Sequence, residues 1–130
     1  MRRPVAAALA LAALLTACGG GSSKAPRTAL RGQVLDLAAA ANGDLRYDRT
    51  TLAAHAGTVT ILFTNRSPEV HNVTVSDGSG ILGATPTFQG GSRALTLTLR
   101  PGTYTFYCSV PGHEAAGMKG TLVVAQRSTK

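Results

Sequence analysis

Leu99-Arg100-Pro101-Gly102-Thr103-Tyr104-Thr105-Phe106-Tyr107-Cys108-Ser109-Val110-Pro111-Gly112-His113-Glu114-Ala115-Ala116-Gly117-Met118-Lys119-Gly120-Thr121-Leu122-Val123-Val124-Ala125 reads as a turn, a strand, a loop and a returning strand. Pro101-Gly102 makes the turn. Beyond it Tyr104, Phe106 and Cys108 point one way and Thr103, Thr105 and Tyr107 the other, so the thiol continues a core-facing row. Gly120 to Ala125 is apolar and β-branched enough to close the domain as its last strand. The loop between them carries Cys108-x4-His113-x4-Met118, and Pro111, Gly112, Ala115, Ala116 and Gly117 add tight turning and little bulk. A soft thiolate, a borderline imidazole and a weak thioether are three parts of the donor set of a mononuclear electron-transfer copper centre, which also needs a second imidazole.

Working back along the chain, Leu95, Leu97 and Leu99 alternate with Thr96 and Thr98 as a half-buried strand, after a loop rich in Gly, Ser and Thr from Asp77 to Gly91. Val70 to Ser76 also alternates, and its pattern puts His71 on the face of Val73 and Val75. That face should be the core, and His71 is the missing imidazole. Gly57 to Asn65 is the clearest early strand, with a near-continuous Val59, Ile61, Leu62, Phe63 that suggests the centre of a sheet. Gln33 to Ala39 is a first strand weakened by Ala38 to Ala41; Asn42-Gly43 is a turn signal, and Leu45 to Tyr47 starts another strand. About seven strands with turns between most of them predict an all-β sandwich. It forms one domain over residues 30–126, with a frayed tail at 127–130.

The N-terminal residues have a different character. Arg2 and Arg3 precede an apolar run from Val5 to Leu15 that is too short to span a bilayer and ends Leu15-Thr16-Ala17-Cys18, so residues 1–17 read as an export signal. Leu-Thr-Ala-Cys resembles the lipobox of bacterial lipoproteins, which implies lipidation of Cys18 after cleavage. Gly19 follows Cys18, so no inner-membrane retention signal of the Asp type is present. Gly19 to Ala29 has nothing to bury and reads as a tether, with an end-to-end distance of about 20 Å. The expected location is therefore extracytoplasmic and lipid-anchored to a bacterial cell membrane, on the periplasmic or outer surface.

Removing the signal reduces the formal charge from +7 to +5. The basic residues are scattered singly, without runs or interleaved aromatic side chains, which argues against nucleic acid as a ligand. Such a surface suits an acidic partner or acidic lipid. Cys18 and Cys108 each have a stronger claim on them than pairing with one another, so no disulfide framework follows.

Singly, a histidine on an apolar face is most often a satisfied core residue, a lone methionine a gap-filler and a lone buried cysteine an inert small hydrophobe. It is their conjunction that points to copper. Over residues 30–125 the sequence resembles the cupredoxins, the small blue copper proteins. The resemblance rests on His71-Asn72 on a strand and on Cys108-x4-His113-x4-Met118 followed by Gly120-Thr121-Leu122-Val123-Val124. Plastocyanins and pseudoazurins have a shorter Cys-to-His interval and azurins a shorter His-to-Met interval; this spacing is similar to that of auracyanins and rusticyanins. The resemblance implies a Greek-key sandwich holding one type 1 copper, with His71, Cys108 and His113 as equatorial ligands and Met118 as the axial one. It also implies that Asn72 ties the two ligand segments together beside the thiolate.

Leu99 to Tyr104 looks like the tyrosine corner of Greek-key sandwiches, a structural role for Tyr104. His55 matches no ligand position and reads as a surface or loop histidine. A multicopper enzyme is disfavoured because Tyr107 and Ser109 flank Cys108 where such enzymes carry His, and an oxidase-type dinuclear centre would need a second loop cysteine. No open coordination position or acid/base pair is evident, so the expected role is a non-enzymatic carrier of single electrons. Its partners would be envelope redox proteins such as a cytochrome, oxidase or reductase, and a monomer is expected. The competing reading is a copper-binding or delivery lipoprotein; against it, such proteins tend to use exposed Met and His, and only Met1 and Met118 are present.

Overall fold

The computed structural model describes residues 32–128. The expected export signal, the expected lipidation at Cys18 and the expected tether lie outside the described residues.

The described chain is all-β. Its strands are β1 (Gln33–Ala38), β2 (Thr51–His55), β3 (Gly57–Thr64), β4 (Thr74–Ser76), β5 (Ile81–Ala84), β6 (Ser92–Leu99), β7 (Gly102–Tyr107) and β8 (Lys119–Ala125). They form a three-stranded sheet in the order β1-β3-β6 and a five-stranded sheet in the order β2-β8-β7-β4-β5. Pairing is antiparallel except for β1 with β3 and β2 with β8.

β3 is the centre of its sheet. Val59, Ile61 and Phe63 point inward and are buried, but Leu62 is only half-buried, so the strand alternates where its composition suggested burial on both faces. The outer face is hydroxyl-rich, and Thr60 and Thr64 of β3 hydrogen-bond Thr96 and Ser92 of β6 across the pair at 2.9 and 2.7 Å. Between the sheets Tyr47, Phe63, Phe88 and Phe106 make edge-on and tilted ring contacts with centroids 5.5 to 5.6 Å apart. Phe63 and Phe106 are fully buried, and each such ring stabilises the sandwich by roughly 1.5–3 kcal/mol.

Eight strands replace the expected seven or so, with changes in three places. The segment Leu45 to Tyr47 makes only an isolated bridge, Tyr47 to Ala39, and the strand forms later as β2. Thr-Leu-Ala-Ala-His is a weak β sequence on propensity. It is held extended by parallel pairing with β8 from Thr51–Thr121 to His55–Ala125, which buries Leu52 and Ala54. The Gly-rich loop contains β5, whose Gly83 lies so close to β6 that an added Cβ would stand 2.8 Å from a Leu97 methyl. The Val70 to Ser76 stretch forms strand only over β4, with His71 in an isolated bridge to Phe88.

At the far end of the sandwich His55 closes β2 as an exposed residue, its backbone engaged by the Gln33 side chain. Tyr104 donates its hydroxyl to the Arg100 carbonyl at 2.7 Å, pinning the turn into β7. Of the tail, Arg127 and Ser128 are described and exposed, and Arg127 reaches back to the Ala56 carbonyl at 3.4 Å.

Candidate metal centre

β7 delivers Cys108 to one end of the sandwich. Its N–H donates to the Met118 carbonyl at 3.1 Å, so the loop leaves and returns at one point. Inside the loop His113 N–H donates to Val110 C=O at 3.0 Å, Ala116 N–H to Gly112 C=O at 3.1 Å and Met118 N–H to His113 C=O at 3.0 Å. Gly112 and Gly117 adopt φ values of 83° and 112°, open to glycine and strained for other residues. The two four-residue intervals are thus consumed by turns that fold His113 and Met118 back over Cys108. His71 arrives from the neighbouring segment, its N–H and C=O both paired with Phe88 at 3.1 and 3.0 Å.

The structure brings the four residues together. His71 Nδ1 and His113 Nδ1 are 3.1 Å apart, and Cys108 Sγ lies 3.9 Å from the first and 3.5 Å from the second. A point equidistant from the corners of such a triangle is about 2.0 Å from each, close to the 2.0–2.3 Å of metal–imidazole and metal–thiolate bonds. The donor triangle therefore has the size of a metal site, and its chemistry, two imidazoles and one thiolate with a thioether alongside, suits copper. His71, Cys108 and Met118 are fully buried, whereas His113 is half-buried.

Burial holds the His71 pKa below the ordinary imidazole value, the nearby His113 ring lowers it further, and Glu69 opposes both. A neutral ring is the ligating form. His71 Nε2 is the one buried side-chain nitrogen or oxygen without a partner among the described residues. An unpaired buried polar atom costs about 1–3 kcal/mol, a cost tolerated mainly at functional sites.

Asn72 connects the two ligand segments. Ser109 N–H donates to Asn72 Oδ1 at 2.9 Å, and Asn72 Nδ2 donates to Ser109 Oγ at 2.7 Å and to Thr87 Oγ1 at 2.9 Å. Tyr47, buried beside them, donates to the Asn72 carbonyl at 2.6 Å. Burial raises its pKa far above the ordinary phenol value, and the neighbouring Cys108 adds to the effect. Sequence reasoning did not find Tyr47, Ser109 or Thr87 as supports of the site. Only Ser109, next to the thiol, carried a positional signal; Tyr47 and Thr87 come from loops whose path was not legible.

A thiolate, two imidazoles and a thioether gathered at one end of a two-sheet sandwich define a protein of the cupredoxin type. A family model for copper-binding proteins of the plastocyanin/azurin family matches residues 35–125. Auracyanin-A of Chloroflexus aurantiacus is 32% identical, over 88% of this chain and 91% of the relative. Auracyanin-B of the same organism is 56% identical over a 36-residue stretch, which is 27% of this chain and only 15% of that relative. Among solved structures, dithionite-reduced auracyanin from Roseiflexus castenholzii superposes with a TM-score of 0.65 at 29% identity, covering 72% of this chain and 98% of the other. The chain belongs to the plastocyanin/azurin family of copper-binding proteins.

Proposed function

We propose that the chain is a membrane-tethered carrier of single electrons in the cell envelope. It would hold one copper through Nδ1 of His71, Sγ of Cys108 and Nδ1 of His113, with Met118 as the axial ligand. The observation that carries this reading is the unequal burial of the donors: three are sealed in the core and only His113 reaches the surface. The bound copper would supply one-electron exchange between Cu(II) and Cu(I). The protein supplies a donor set that suits both oxidation states, and a backbone-locked loop that resists rearrangement as they interchange.

The His113 edge, flanked by half-buried Val110 and exposed Pro111, Gly112 and Ala115, is the proposed entry and exit point for the electron. The redox partner would be an envelope protein with an acidic face, since the formal charge of +7 for the full sequence is still +5 once residues 1–17 are removed. Lipid on Cys18 would hold the domain at the membrane, where the Gly- and Ser-rich segment leaves it room to swing.

The test is to add one equivalent of Cu(II) to the purified chain and record visible and electron paramagnetic resonance spectra. An intense blue thiolate-to-copper band with narrow copper hyperfine splitting, bleached by ascorbate and restored by an oxidant, is expected. A pale, ordinary Cu(II) signal, or copper surrendered to a mild chelator, would favour copper delivery instead.

A further inference from the structure

The segment Thr85-Pro86-Thr87-Phe88 is the outer wall of the site. It runs antiparallel to His71-Asn72-Val73 and holds each of the three residues. His71 exchanges both backbone bonds with Phe88 at 3.1 and 3.0 Å. Val73 donates its N–H to Thr85 Oγ1 at 3.1 Å and accepts from Thr85 N–H at 2.9 Å. Between these pairs the two residues Pro86 and Thr87 stand opposite the single Asn72. That is the count of a β-bulge, a device that re-aims a side chain. Proline has no N–H to offer the ladder, and the Thr87 hydroxyl is turned onto the Asn72 amide at 2.9 Å.

The Asn72 side chain is saturated as a result. Both Nδ2 protons are used, on Thr87 and Ser109, and Oδ1 accepts from Ser109 N–H at 2.9 Å and, at the longer distance of 3.4 Å, from Thr74 Oγ1. Flipped, the amide would set an N–H against the Ser109 N–H, so only one orientation satisfies every group. The wall is itself braced from behind. Buried Asn65 donates to the Phe88 carbonyl at 2.7 Å and to the Glu69 carbonyl at 2.8 Å, on either side of His71.

We infer that Thr87 is a positioning residue of the metal centre: by accepting from the outward-facing Asn72 Nδ2 proton, it fixes the amide that holds Ser109, and with it Cys108, in place. The inference rests on the proposed copper site for its functional meaning but not for its geometry, so its first test uses the copper-free full-length chain. Thr87→Val keeps the shape and removes the acceptor. It is expected to speed amide hydrogen exchange at Ser109 by about tenfold, the loss of roughly one net hydrogen bond, with exchange in β3 and β6 unchanged. Thr87→Ser is expected to restore slow exchange.

In the copper-loaded protein Thr87→Val should also move the midpoint potential and Thr87→Ser should not. A tenfold change in the ratio of Cu(I) to Cu(II) affinities corresponds to about 59 mV, which bounds the expected shift. Ser109 exchange at the parent rate in Thr87→Val, or Thr87→Ser behaving like Thr87→Val, would overturn the inference. If the parent forms no blue centre, the electron-carrier reading fails while the exchange measurement still decides the role of Thr87.

Discussion

His71 Nδ1 and His113 Nδ1 face each other at 3.1 Å, a contact that two neutral imidazoles make by sharing one proton and that a metal makes by replacing it. Met118, fully buried and bonded through its backbone to Cys108 and His113, is the proposed axial donor and would be the weakest of the four. Met118→Gln exchanges a soft sulfur for a harder oxygen that favours Cu(II), so the midpoint measured by voltammetry should fall. Tyr47 acts at the same scale but on stability. Removing its hydroxyl strips the buried Asn72 carbonyl of a partner at 2.6 Å, so Tyr47→Phe should cost about 1–3 kcal/mol in urea unfolding. Burial raises the Tyr47 pKa, so the phenol stays neutral when folded and ionises when unfolded. Its contribution is complete below about pH 10 and is lost as the pH rises beyond it, by up to about 1.4 kcal/mol per pH unit. Tyr47→Phe should remove that component of the alkaline fall in stability. That His71, Cys108 and His113 would cluster was legible from residue type and spacing. Tyr47 and Thr87 were not, because a Tyr or Thr becomes a support only through partners 25 and 15 positions away.

At the scale of elements, β7, the ligand loop and β8 form one unit whose sides must approach closely. A Cβ on Gly120 would meet the Thr50 carbonyl at 2.6 Å and push into the buried Phe106 ring, so Gly120→Ala should destabilise the fold by about 1–3 kcal/mol, read as a lower thermal midpoint. The loop surface should respond to charge instead of volume. Ala115→Glu places a carboxylate beside the exposed edge of His113 and should slow electron exchange with an acidic partner while leaving the blue band in place; an unchanged rate would locate docking elsewhere. β3, β6, β7 and β8 were legible in the sequence, β6 and β7 from their alternation and β3 and β8 from their apolar, β-branched composition. β2 and β5 were not, since each is extended because of its neighbour: β2 by parallel pairing with β8, β5 by pairing with β4. A parallel partner some 70 positions away leaves no local signature.

At the scale of the molecule, the donors are placed by the sandwich before any metal need be present. His71 hangs on two backbone bonds to Phe88, Cys108 on a bond to Met118, and Asn72 joins the two segments. These bonds run between backbone groups or to side chains that do not ligate, so loading should not have to build them. The copper-free chain should therefore keep the far-ultraviolet circular dichroism of the loaded one. Its thermal midpoint should nevertheless be lower and should rise with free copper, since a ligand that binds only the native state adds RT ln(1 + [L]/Kd), about 2.7 kcal/mol at a hundredfold excess over Kd. Amide exchange would locate the difference. Residues 110–117, which lie between strands in turns with exposed or half-buried side chains, should slow on loading, while β3, β6 and β7 should not change. Exchange slowing throughout the five-stranded sheet would instead mean that the metal organises the fold, and the preformed frame on which low rearrangement between Cu(I) and Cu(II) depends would have to be abandoned.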